Sequence, residues 1–128
     1  MVKLVQCVRR KQGMTLQDFR AAWSLYAEHV KEMAAALEAS RCATATALAI
    51  RENLELVLQR GTAPPFDGLV EIWVDNAPRL EEALEREEVR ARIRALWREQ
   101  ETFMDLPESC FFLAAEDEVF EPPTPARP

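Results

Sequence analysis

His29 is the sole histidine of the chain and Tyr26 the sole tyrosine, and they stand three residues apart. Imidazole gives and takes a proton near neutral pH, and a phenol hydroxyl both donates and accepts a hydrogen bond. Residues three apart on a helix are neighbours. The pair is a candidate for general acid or base catalysis, with His29 moving the proton and Tyr26 holding a substrate oxygen. Proton abstraction beside a carbonyl, common to cyclisation, dehydration and isomerisation, asks for little more. A monooxygenase variant would use the same pocket to make a carbanion for oxygen to attack. The structural alternatives are a rim histidine bonded to a neighbour and an amphipathic tyrosine closing the edge of a core.

Other chemistries lack partners. A second histidine is missing, and no carboxylate spacing of a known ligand set accompanies His29, so no metal site is expected. Haem would have His29 alone to hold it, and no cofactor is expected. Cys7, Cys42 and Cys110 are odd in number, widely spaced and set in apolar segments, which argues against a disulfide framework and for reduced thiols in a cytoplasm. A net charge of −6, with arginines interleaved among glutamates, provides no one-signed basic patch for nucleic acid. No apolar run has the length of a membrane span, and no export signal is visible.

The elements that would position these residues follow from period and punctuation. At 48% hydrophobic and 30% charged over 128 residues, the composition is that of one globular domain. Val2–Arg10 is valine-rich and apolar on both alternating sets, a strand covered on both faces. Thr15 with Asp18 resembles a capping box, and Leu16, Phe19, Trp23, Ala27, Val30, Ala34 and Leu37 keep a helical period from there. On that helix His29 falls about 100° from the stripe's centre, at its edge beside Ala22, Tyr26 and Met33.

The segment "RCATATALAI" alternates, with Ala43, Ala45, Ala47 and Ala49 forming one small face of a second strand; it leaves room for a planar ligand or lets a helix pack close. Residues near 51–65 form an insert, either a helix ending at Gly61 or an extended strand through Leu54, Leu56 and Leu58. Pro64 and Pro65 stop it, Asp67-Gly68 turns the chain, and "LVEIWVD" begins a third strand.

From Pro78 a second helical region, broken near Glu87, carries Leu80, Leu84, Val89, Ile93, Leu96 and Trp97. Ser109–Glu116 reads as a fourth strand, and residues 121–128 as a proline-rich tail on a domain of residues 1–120. The order β-α-β-(insert)-β-α-β is an α+β, ferredoxin-like arrangement: one antiparallel sheet with its helices on one face. The other face would expose Trp73, and Glu71 beside it would need a partner across a contact. Two such sheets packed face to face as a homodimer would bury it.

Three segments resemble the EthD-like members of the dimeric α/β barrel superfamily. In the first, "RRKQGMTLQDFRAAWSLYAEHV", the family's Arg, Lys, Gly, Phe, aromatic and His fall on Arg10, Lys11, Gly13, Phe19, Trp23 and His29. The second is "RGTAPPFDGLVEIWVD". The third is "REQETFMD", where Glu99 and Gln100 stand at positions that are commonly two acids. The resemblance implies a homodimeric barrel with a ligand cavity between sheet and helices and does not fix a reaction; the first reading is a cofactor-free enzyme acting on an apolar aromatic or polyketide-like molecule. A non-catalytic ligand-binding or accessory dimer is the alternative. His29 and Tyr26 are the catalytic candidates. Trp23, Met33, Trp97, Ala45 and Arg10 are the candidates for lining the substrate site.

Overall fold

In the computed structural model, which describes residues 1–123, the Thr15 hydroxyl accepts the backbone N–H of Asp18 at 3.1 Å and starts the first helix where the spacing predicts. The elements are β1 (Val2–Val8), α1 (Leu16–Ala36), β2 (Arg41–Thr46), α2 (Arg51–Arg60), β3 (Gly68–Val74), α3 (Ala77–Glu85), α4 (Glu87–Phe103) and β4 (Cys110–Ala115). The strands form one sheet in the order β2-β3-β1-β4, and every neighbouring pair is antiparallel. The result is the expected α+β ferredoxin-like sheet. The second helical region breaks at Arg86, whose backbone is extended between α3 and α4.

Alternation divides the sheet into two faces. On the inner one Val8, Val70, Ile72 and Val74 join Phe19, Trp23, Tyr26 and Val30 of α1 and Val89, Leu96 and Phe103 of α4 in the core. Trp23 fixes how closely α1 approaches the sheet. Its indole is 5% exposed and lies over Gly68, where an added Cβ would come within 2.6 Å of the ring. Hydrogen here lets the helix sit down on the strand.

The segment before β3 is a junction. Asp67 donates its backbone N–H to the Val8 carbonyl at 2.8 Å, accepts from Ala47 N–H at 3.1 Å, and takes the Arg10 N–H on its carboxylate at 2.8 Å. Just before it, the Arg9 guanidinium stands 4.2 Å from the Phe66 ring centre and donates to the Pro65 carbonyl at 3.2 Å. The two prolines end the insert, and the turn they precede is tied to the ends of two strands.

Of the two alternatives for the insert, the helix is the one formed: Gly61 closes α2 in the left-handed region at φ 66°, and none of its residues is buried. Other expectations need revision. The alanine face is shorter than its pattern, because β2 ends at Thr46 and leaves Ala47 and Ala49 outside the sheet. Trp73 does lie on the outer face, yet it is only 8% exposed within a single chain. The guanidinium of Arg41 and the ammonium of Lys3 stand 4.6 and 5.4 Å from its ring centre, and its Nε1–H donates to Glu116 at 3.0 Å. Glu71 finds its partner in its own chain, Lys3 at 3.1 Å. The predicted tail lies outside the described residues from 124 onward; within them Val119 and Phe120 are exposed.

Replacing Gly68 by Ala forces a methyl group against a wedged indole, so G68A should cost about 1–3 kcal/mol of stability by urea unfolding. An unchanged midpoint would mean that α1 can lift from the sheet without loss.

Candidate functional site

Tyr26 is fully buried, one turn before His29 on α1, and a buried hydroxyl must find partners. It donates to Gln6 Oε1 of β1 at 2.6 Å and accepts from Gln100 Nε2 of α4 at 2.9 Å. Burial pushes the Tyr26 phenol up to about 12, against the smaller opposing pull of the two glutamine hydrogen bonds. The group is a neutral hydrogen-bonding bridge at physiological pH and cannot serve there as a base.

Gln6 and Gln100, 8% and 3% exposed, form the polar end of a cavity of about 320 Å³ between the sheet and the helices. Val30 and Met33 of α1, Leu80 and Leu84 of α3, and Leu96 of α4 wall it on the helix side. Leu4, Ile72, Phe111 and Leu113 wall it on the sheet side, and Trp97 stands at its rim. The mouth opens beside β4, whose Phe111 and Leu113 are exposed because no helix covers that edge of the inner face. No lining residue carries a charge.

Of the residues singled out in the sequence, Met33 and Trp97 line this cavity and Tyr26 holds its polar end from behind. The others stand elsewhere. His29 faces a separate groove of about 280 Å³ between α1 and α4, where its Nδ1 lies 2.5 Å from Glu99 Oε2 and Arg92 pairs with Glu32 at 3.5 Å. The other Glu99 oxygen is sealed without a partner. Leu96 borders both spaces and separates them. Trp23 is a core residue stacked 5.6 Å from Phe19, and it meets Ala45 at a shallow groove beside β2. Ala45 pairs with Leu69, so its side chain belongs to the sheet face turned away from the helices. Arg10 is occupied with Asp67.

Gln6 and Gln100 escaped the sequence reading as site residues, although each left a mark. Gln6 is the one uncharged polar residue in "VKLVQCV", and Gln100 continues the α4 stripe of Ile93, Leu96 and Phe103 at helical spacing. A polar side chain at an apolar register position was the available signal.

A model of the EthD domain matches residues 11–107. The chain belongs to the EthD family. Solved structures of the same fold include an EthD family protein from Bacillus halodurans, 11% identical over 91% of this chain and 99% of that one, with a TM-score of 0.60. A dimeric ferredoxin-like protein of unknown function from Thermobifida fusca is 12% identical over 90% of both chains, TM-score 0.60. A dimeric protein of unknown function and ferredoxin-like fold from Bacteroides fragilis is 7% identical over 88% of this chain and 93% of that one, again with a TM-score of 0.60. No functionally curated protein matches this EthD chain in sequence. Among its described residues there is no cluster of metal-ligating side chains and no helix long and apolar enough to cross a membrane.

Because Tyr26 is the only tyrosine, alkaline titration reads it directly. A free phenol ionises near pH 10 and the folded one at about 12, so the unfolded chain loses its proton first as pH rises. The stability that Tyr26 contributes is therefore fully present below pH 10 and is lost between pH 10 and 12, by about 3 kcal/mol over two pH units. Y26F should lack that component of the pH dependence. Well below pH 12, tyrosinate absorbance near 295 nm should rise only with unfolding, and a wild-type rise at pH 10 with the fold intact would contradict the bridge.

Proposed function

We propose that this EthD protein is a homodimer that binds a small, neutral, apolar molecule, aromatic or polyketide-like, in the cavity between its sheet and helices. The observation that carries this reading is the cavity itself: about 320 Å³ of apolar wall with two buried amides at one end, the composition of a small-molecule site. No wall residue transfers protons at neutral pH, which favours binding over acid-base catalysis within this space. The open rim at Phe111, Leu113 and Trp97 gives a ligand entry without unfolding. No cofactor is needed for this role.

The dimer is supported by the outer sheet face, where Leu69, Phe112, Ala43 and Ala45 form apolar surface, and by the dimeric proteins of the same fold. Sedimentation should give the mass of two chains, and Leu69→Asp, which puts an unpaired charge into that contact, should give the mass of one. A wild-type monomer would remove this part of the proposal.

A second reading has its own observation. A histidine whose Nδ1 is held by a carboxylate keeps Nε2 free and oriented, the arrangement of a general base. In that reading His29 and Glu99 act on a substrate held in the α1–α4 groove. The two readings separate experimentally. Naphthalene should raise the melting temperature of the wild type, Ile93→Phe, which enlarges a side chain of the cavity wall on α4, should abolish the rise, and H29A should leave it unchanged. If H29A removes binding and Ile93→Phe does not, the groove is the site.

A further inference from the structure

A hydroxyl has one hydrogen to give, and this limits what the two glutamines can show to the cavity. Tyr26 spends its proton on Gln6 Oε1 and receives one from Gln100 Nε2, which leaves Gln6 Nε2 and Gln100 Oε1 without partners among the described residues. Neither atom is sealed away: among the described residues the unpaired sealed polar atoms are Arg10 Nη1, Arg86 Nε and Glu99 Oε1. Both residues line the cavity and are more than nine-tenths buried, so these two amide atoms meet its interior. Turning both amides over exchanges their roles and changes nothing else. One glutamine must then offer the phenol a donor and the other an acceptor, and the cavity still sees one free N–H group and one free carbonyl.

We infer that the ligand is an uncharged molecule with an apolar body and, at one end, a hydrogen-bond acceptor beside a donor, as in a primary amide or a lactam. This rests on the reading of the cavity as the ligand site. The two free atoms belong to the two amides that flank a single hydroxyl oxygen, so a ligand that carries both a carbonyl and an N–H at one end has a partner for each. A ligand with only a carbonyl leaves the glutamine carbonyl unpaired in an apolar space, and a hydrocarbon leaves both atoms unpaired. A carboxylate is disfavoured for another reason. No lining residue supplies a counter-charge, and a buried anion without one is costly.

The test uses the whole chain and four probes that share one aromatic ring: benzamide, acetophenone, ethylbenzene and benzoate, titrated by calorimetry. Benzamide should bind tightest, acetophenone roughly three- to tenfold more weakly, ethylbenzene weaker again by a similar factor, and benzoate weakest at pH 7. Equal affinities for benzamide and ethylbenzene would overturn the inference while leaving the cavity as a ligand site. Failure of all four to bind would overturn the cavity reading and the inference with it. Gln6→Leu and Gln100→Leu should each flatten the benzamide preference and preserve ethylbenzene binding. Should either variant fail to fold, glutamine side-chain amide resonances of the wild type provide the check: benzamide should shift those of Gln6 and Gln100, and unshifted resonances would refute the contact.

Discussion

A single buried oxygen governs the arrangement of this protein. The Tyr26 hydroxyl joins α1 to β1 through Gln6 and to α4 through Gln100, and leaving any of these groups unpaired away from water would cost about 1–3 kcal/mol. The same ring packs 5.7 Å from Trp23 and 5.4 Å from Phe103, and Trp23 in turn rests on Gly68. The two long helices are thus referenced to the central strands by one phenol. The packing that seats it also leaves β4 uncovered on the inner side, and that gap is the cavity.

Glu99 and Gln100 are sequence neighbours with opposite duties. Adjacent helical positions point about 100° apart, so one side chain can turn to the α1–α4 groove while the next turns to the core. Glu99 meets His29 in the groove, and Gln100 meets Tyr26 at the cavity. Charge and burial are matched to each place. The carboxylate has an imidazole beside it and nearby solvent, whereas the amide sits where an ion would be costly. Leu96, one turn earlier, is the partition between the two environments.

The order of elements could be read from the sequence because punctuation and period agree there: Thr15 caps α1, Gly61 closes α2, and Pro64 and Pro65 isolate β3. What could not be read was which face or which pair an individual side chain would serve. Trp73 looked exposed because a single strand's alternation does not show Lys3 and Arg41 arriving from its two neighbours. Tyr26 reads as a rim residue because the periodic set from Leu16 to Leu37 is centred near Trp23 and Val30, while the buried set Trp23, Tyr26, Val30 and Met33 is centred nearer to Tyr26. Polar members of a core are the hardest to place. Their burial is licensed by partners such as Gln6 and Gln100, which are distant in the chain.

The position of β1 has a consequence for how the chain assembles. It is made before the other three strands and lies in the interior of the sheet, where Val2 pairs with Val74 on one side and Ala115 on the other. During synthesis this valine-rich segment has no native neighbour until β3 emerges, and its second edge stays open until β4 follows. Such long-range pairing slows folding, because the loop-closure entropy is spent before the contacts return it. An apolar strand waiting with open edges is also a site for wrong pairing with another chain. The charges at Lys3 and Arg9, at either end of β1, stand where they would discourage such encounters in the nascent chain.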